Sequence, residues 1–227
     1  MPGEGAQQNG PSAGVGSGAA IRPGAVILAR HGEPALSRKV RLSAAGYRDW
    51  WAAYEAGGIK ADQPVPAALL ASAKGAVHLI SSTRARSRET AAALGRDFAA
   101  DALFIEAPLP PPSLPAWIKF SPRVWGFVAR FFWWVFNHHQ GEENVREARL
   151  RAAEAARRLT ELAARGDDVL VVAHGFFNGM VGGALKRLGW RCILDEGFRY
   201  WSARRFEAPF PHPRSGGGGP RSGGGGE

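Results

Sequence analysis

Cysteine is almost missing from this chain. Its single thiol, Cys192, stands between Arg191 and Ile193 among 227 residues. One cysteine makes no internal disulfide, so stability must come from packing, which suits a reducing, cytoplasmic setting. No histidine is arranged around Cys192 as a nucleophile's partner, and it reads as a structural or incidental thiol. Also missing is an apolar run of the roughly 20 residues that a bilayer-spanning helix needs. The N-terminus has no charged stretch followed by an apolar one, so no secretory signal is visible. Zinc-finger spacings and aromatic RNA-binding motifs are absent too, and nucleic acid is not an expected partner. Acids are in short supply: 20 Asp and Glu stand against 29 Lys and Arg, a formal charge of +9.

The two ends lack large apolar side chains. Residues 1–23 and 210–227 are dominated by Gly, Ser, Pro and Ala. Neither stretch can offset the entropy of ordering itself, and both read as flexible tails. Glu4 offsets Arg22, and Glu227 offsets one of Arg214 and Arg221, so residues 24–209 carry about +8. Such a surface attracts anions, phosphorylated metabolites and acidic proteins among them. With 45% hydrophobic residues, the remainder suffices for one domain with a real core.

Within that domain, short apolar runs alternate with helical patterns. AVILA (25–29) and VHLIS (77–81) read as buried strands, and DALFIEA (101–107) contains a third. DVLVVAHG (168–175) is a fourth, ending at His174. Residues 42–57 read as a helix with Ser43 as cap and Gly57 as stop, and residues 64–73 as a second. Residues 83–98 form a loop entering a third. Residues 141–166 hold the strongest helical pattern, with Val145, Ala148, Ala152, Ala155, Leu159 and Leu162 as its apolar stripe and Leu150 off it. PLPPPSLP (108–115) is irregular, 176–189 is a helix weakened by glycine, and 198–208 supplies one or two edge strands. This alternation predicts an α/β sandwich with a mostly parallel sheet. In such folds ligands bind beyond the C-terminal strand ends, where His31, Ser82, Glu106 and His174 fall.

The segment VWGFVARFFWWVF (124–136) stands apart. It is too short to span a bilayer, and Arg130 interrupts it. Three readings fit: a core helix, a lid or hydrophobic substrate wall, and a membrane-surface or partner-binding element. Phe127, Phe131 and Trp134 share one helical face, which Phe132 and Val135 widen. That width favours burial.

Phosphoryl transfer through histidine needs a neutral imidazole to attack phosphorus and cationic donors to hold the nonbridging oxygens. It also needs an acid to protonate the leaving oxygen. Arginine suits the second task because its planar fork meets phosphate oxygens in pairs. The chain has such parts. Arg30 and His31 follow the first strand, Arg86 lies after the second near a helix start, and Glu106 and His174 follow the third and fourth. Three motifs carry a resemblance: VILARHGEP (26–34), SSTRARSRETA (81–91) and VLVVAHGFFN (169–178). In these the chain resembles the histidine phosphatase superfamily, also called the phosphoglycerate mutase-like family, in its phosphatase branch.

The resemblance covers 25–205 and implies a phosphoglycerate mutase-like, three-layer α/β/α sandwich. It implies that His31 accepts the phosphoryl group and that Arg30, Arg86 and His174 bind the phosphate. Glu106, 20 residues beyond Arg86, best matches the proton donor. Here it precedes a proline-rich stretch in place of the mutases' E-x-x-x-G. Ser37 stands where many members carry a substrate-contacting asparagine; its hydroxyl can still bond phosphate, and the exchange points away from phosphoglycerate.

The expected activity is metal-independent, cofactor-free phosphomonoester hydrolysis, on a small phosphorylated substrate or a phosphoprotein. A mutase-like phosphotransferase, a phosphohistidine protein phosphatase and a non-catalytic phosphate-binding module are the alternatives. Peripheral membrane contact and a homodimer stay open. Arg84, Arg88, Lys39 and Arg41 are further cations near the motifs, each with a solvated or ion-paired face as the plainer reading. Glu33 reads as an organiser of its loop, and Asn178 as orienting the site or capping its helix. His138 and His139 lack two further spaced ligands for a metal.

Overall fold

The computed structural model describes residues 21–209. The glycine-rich tails read from composition lie outside the described residues, save for 21–23. Six strands form one sheet: β1 (Val26–Arg30), β2 (His78–Ser82), β3 (Ala99–Asp101), β4 (Val169–Ala173), β5 (Arg191–Asp195) and β6 (Ala203–Glu207). Their order across the sheet is β3-β2-β4-β1-β6-β5. The first four run parallel, while β6 pairs antiparallel with β1 and β5 antiparallel with β6. Helices α1 (Ala44–Ala56), α2 (Ala67–Gly75), α3 (Ala85–Ala92), α4 (Pro122–Phe136), α5 (Val145–Ala163) and α6 (Gly175–Arg187) complete the domain.

Alternation along the central strands makes the three layers. Val26 and Leu28 of β1, with Val169 and Val171 of β4, face α5 and α6. Ile27, Ala29, Leu170 and Val172 face α2 and α3. A strand covered on both sides must be apolar throughout, which is why VILA and VLVVA contain no polar residue. Helix α6 approaches β6 closely: a Cβ at Gly182 would come within 2.9 Å of the Phe206 ring. Helix α1 runs between the expected Ser43 cap and Gly57 stop. Helix α5 starts from an Asn144–Glu147 capping box and buries an alanine-rich stripe, leaving Leu150 exposed.

Three expectations need correction. The third strand is Ala99–Asp101, ahead of the forecast apolar centre; Leu103 and Phe104 instead form a 3-10 turn, capped by the Asp101 side chain. The 198–208 region supplies β6, which is no edge strand; the edge on that side is β5, largely exposed, where alternation is too weak to announce a strand. The aromatic segment is helical, but it is not buried all round. Trp125, Ala129 and Trp133 form its buried stripe. The face bearing Phe127, Phe131 and Trp134 is exposed. The buried indoles are fixed by partners outside the helix: Trp125 Nε1 donates to Leu42 O at 2.7 Å and Trp133 Nε1 to Glu143 O at 3.0 Å. Tyr47 and Trp50 of α1 pack beside Trp125 in an aromatic cluster.

Candidate active site

The register of β1 on β4 explains why two histidines meet. Arg30 pairs with Ala173, so the next residues, His31 and His174, leave the sheet side by side. Their rings lie 5.2 Å apart, edge to face. His31 is 2% exposed and His174 1%. His31 Nδ1 lies 2.7 Å from Gly32 O. A carbonyl only accepts, so Nδ1 carries the proton and Nε2 is left with a free lone pair. Burial, then the charges of Arg86 and Arg30, hold the His31 pKa well below the usual histidine value. His174 is depressed likewise, first by burial and then by Arg86. Both rings are therefore neutral at neutral pH.

Arg86 enters from the first turn of α3 and is wholly buried. Its guanidinium donates to Tyr54 O at 3.0 Å and to Glu55 Oε1 at 2.6 Å, and it lies over the Tyr54 ring. Glu55 Oε2 also pairs with Arg84 at 2.8 Å. Ser82, the last residue of β2, lies 2.9 Å from His174 Nε2 and accepts from Arg84 N. Its hydroxyl thus caps the turn and contacts His174. Ser87 Oγ is 3.4 Å from the same nitrogen. Thr90 joins the two motifs: its hydroxyl donates to Arg86 O at 2.6 Å and accepts from Gly32 N at 2.9 Å.

Arg30 is placed by Phe198 O, to which Nη1 donates, and by the Tyr200 ring, 4.3 Å from its guanidinium carbon. Tyr200 also lies beside His31, with ring centres 5.7 Å apart. Arg38 lies over Tyr54 and Tyr200 and is a further charge acting on His31. Around these rings, buried polar atoms have no partner among the described residues: Arg30 Nε, Arg38 Nε, Arg86 Nε, His174 Nδ1 and Tyr200 OH. Unpaired buried polar groups are costly, and a cluster of guanidinium donors fits an anion.

Glu106 lies beyond the 3-10 turn, not directly after a strand. Its carboxylate reaches the start of α6, accepting from Phe177 N at 2.9 Å and Ala107 N at 3.1 Å through Oε1, and from Phe176 N at 3.3 Å through Oε2. Arg151 of α5 steadies the segment by donating to Leu103 O and Ile105 O. Arg130 of α4 approaches from the other side. Its guanidinium carbon is 3.3 Å from the Phe176 ring centre, and burial brings its pKa down to about 10, against the opposing charge of Glu106.

The remaining forecasts separate. Ser37 is exposed, and its hydroxyl accepts from Lys39 N at 3.1 Å; Arg38, next to it, is the residue that acts on His31. Glu33 pairs with Lys60 in its loop. Asn178 donates to Ala29 O at 2.9 Å, tying α6 to β1. Lys39 is exposed, and Arg41 donates to Lys119 O. Among the described residues no three His, Cys, Asp or Glu side chains are grouped to share a metal ion. Sequence reasoning missed Tyr54, Glu55, Arg38 and Tyr200, which lie outside the three motifs. Arg130 was noticed only as a break in an apolar run.

A doubly covered, mostly parallel sheet with two neutral histidines and buried guanidiniums at the C-terminal rim of its parallel strands fits a phosphoryl-transfer protein. A family model described as histidine phosphatase superfamily (branch 1) matches residues 26–195, and the chain belongs to that superfamily. Its coarse chemistry is accordingly of the phosphatase or mutase type. No curated protein matches the chain.

Several solved structures are similar. The protein of open reading frame Rv3214 from Mycobacterium tuberculosis is 21% identical, over 70% of this chain and 78% of that one, with a TM-score of 0.46. A mutant phosphoserine phosphatase from Entamoeba histolytica, in complex with phosphoserine, is 12% identical, over 80% and 89%, with a TM-score of 0.48. YhfR of Bacillus stearothermophilus is 20% identical, over 72% and 80%, with a TM-score of 0.43.

Proposed function

We propose that this protein is a phosphomonoester hydrolase working through a phosphohistidine on His31. One observation carries the reading: His31 is held as the Nδ1-protonated tautomer by Gly32 O, with Arg30 and Arg86 acting on it from close range. An imidazole so held offers Nε2 as a nucleophile; burial first and then the arginine charges keep it unprotonated, and those charges are the ones a phosphate requires.

In the first step Nε2 attacks phosphorus, and the bond from phosphorus to the leaving oxygen breaks. Its electron pair goes to that oxygen, which takes a proton from Glu106. Glu106 Oε2, whose one backbone contact is the longest at 3.3 Å, is the oxygen assigned this proton. Arg30, Arg86 and His174 hold the three nonbridging oxygens. In the second step water attacks phosphorus and gives a proton to the Glu106 carboxylate. The nitrogen–phosphorus bond breaks, its electrons return to Nε2, and phosphate leaves. The arginines supply the balancing charge, so the sequence as written uses no metal or cofactor. The near-complete burial of His31 supports a substrate whose phosphate sits on a slim stem. A serine hydroxyl at position 37 remains available to the non-phosphate part of a substrate that reaches the surface.

Rapid quenching with a 32P-labelled phosphomonoester tests the mechanism. An acid-labile, base-stable label is expected on the wild-type protein and none on His31→Ala. Wild-type turnover by His31→Ala refutes it. Glu106→Gln is expected to slow alkyl phosphates by about 10²–10⁴-fold and aryl phosphates far less. Equal losses on both remove Glu106 as the acid. A screen of phosphorylated metabolites and phosphopeptides then identifies the leaving group. Dependence on a bisphosphorylated primer assigns a mutase instead, and phosphate binding without any hydrolysis assigns a binding module.

A further inference from the structure

We infer that the outer face of α4 is a docking surface for an anionic lipid bilayer. The face is formed by Val124, Phe127, Phe131, Trp134, Val135 and Phe136, all exposed, with Phe127 at 70%. Phe131 and Phe136 pack against one another there, with ring centres 5.9 Å apart, and among the described residues both stay exposed. A contiguous aromatic surface of this kind is costly in water and marks an interaction site. The helix has 15 residues and is not long or apolar enough to cross a membrane, so the fitting geometry is one in which it lies in the interface. Tryptophan settles at the headgroup boundary, and phenylalanine builds the apolar face of helices that lie there.

Charge selects the occupant. Residues 107–141 contain no Asp or Glu, yet hold Lys119, Arg123 and Arg130. Lys119 and Arg123 are exposed, Arg123 on α4 itself. Arg149 of α5 is also exposed and carries its guanidinium to 4.7 Å from the Trp134 ring centre. Of the acids that follow this stretch, Glu143 pairs with Arg151 and Glu147 closes the α5 capping box, while Glu142 is exposed beyond the helix's C-terminal end. An aromatic strip bordered by cations complements an anionic headgroup layer.

The other candidate occupants fit less well. A second copy would set the same cations opposite themselves across a twofold axis. Residues 1–20 and 210–227 offer only Met1, Val15 and Phe210 as large apolar side chains. This surface is independent of the phosphoryl chemistry, since its outward residues are not those placed around His31.

Co-sedimentation of the full chain with vesicles of phosphatidylcholine, with and without phosphatidylglycerol, tests the inference. Binding is expected on the anionic vesicles and should weaken with added salt. Lipids brominated along the acyl chain should quench tryptophan fluorescence on binding, and Trp134→Phe should reduce that quenching. The double variant Phe127→Ser/Phe131→Ser should lower partitioning at least about tenfold, while leaving hydrolysis of a soluble aryl phosphate unchanged. Its melting temperature should not fall, because both positions face outward. Absence of binding to phosphatidylglycerol vesicles overturns the inference, as does binding that the double variant leaves intact. A wild-type dimer that the double variant dissociates, without lipid binding, assigns the face to self-association and overturns it equally.

Discussion

Replacing Gly32 with alanine should disable the candidate nucleophile without touching its ring. A Cβ at this position would lie 2.6 Å from Trp201 Cζ2 and 2.7 Å from Cε2. Carbon atoms pack at about 3.5 Å or more, so the indole must retreat by about 0.9 Å. It has little freedom to do so. Trp201 is already in the left-handed region at φ 62°, rare for a bulky residue. Its Nε1 donates to Gln63 Oε1 at 2.9 Å, and its backbone N donates to His31 O at 3.3 Å. Gly32 is itself tied on both sides, through N to Thr90 and through O to His31 Nδ1. The strain therefore falls on the hydrogen bond that sets the His31 tautomer.

Overpacking of this size costs about 1–3 kcal/mol of stability, readable from urea unfolding. A displacement near 1 Å at the attacking atom costs about 10²-fold in turnover, measured as kcat/KM on an aryl phosphate. Trp201→Phe removes the clashing part of the indole. In the Gly32→Ala background it should restore at least about tenfold of the lost activity, a coupling that a double-mutant cycle isolates. If Gly32→Ala matches wild type in both assays, or if the double variant shows only additive losses, the reasoning fails.

Thr90→Val keeps the shape but leaves the buried Gly32 N–H and Arg86 O without their side-chain partner, and should cost about 1–3 kcal/mol in urea unfolding. Glu55→Gln removes the carboxylate charge opposite Arg86 and Arg84; a similar loss of about 1–3 kcal/mol is expected, with Glu55→Ala worse because the hydrogen-bonding oxygen goes too. The depressed pKa values of His31 and His174 set an acid dependence. Below about pH 6.5 the unfolded chain binds protons that the folded imidazoles refuse, so stability is complete above that pH and falls as pH drops, by up to about 1.4 kcal/mol per pH unit for each ring. Thermal melts between pH 7 and pH 5 should show this slope shrinking in His174→Asn, and an unchanged slope would contradict the burial argument.

The parts of the fold visible in sequence are those governed by local rules. VILA and VLVVA announce strands because both of their faces are covered. Ser43 and Gly57 bracket α1 because caps act on adjacent backbone. His31 and His174 could be placed at strand ends, though not side by side, since that depends on the β1–β4 register. Glu55 and Tyr54 gave no signal: they sit at the end of a helix about 30 positions before Arg86 and meet it only in three dimensions. Tyr200 and Arg38 were hidden for the same reason. On α4 the wheel marks Phe127, Phe131 and Trp134 as one face, whose width favours burial, while the structure buries the Trp125, Ala129 and Trp133 stripe. The choice between them falls to Leu42 O and Glu143 O, which satisfy the indoles of Trp125 and Trp133, and no periodicity encodes that.

The site's electrostatics tie two requirements to one cause. A histidine nucleophile must be unprotonated, and a phosphoryl group needs cations around it. Arg86 and Arg30 act toward both ends: burial does most to lower the His31 pKa, and the field that would hold an anion lowers it further. The arrangement calls for restraint of the cations themselves, because free guanidiniums would spread into solvent. Tyr54 O and Glu55 hold Arg86, while Phe198 O and the Tyr200 ring hold Arg30. These restraints leave Nε of both arginines unpaired. Donor capacity is thus kept for a phosphate while each guanidinium stays fixed. The three motifs carry the groups we propose around a phosphate, and the intervening chain supplies most of what orients them. That division accounts for a pocket legible in sequence and a support structure that was not.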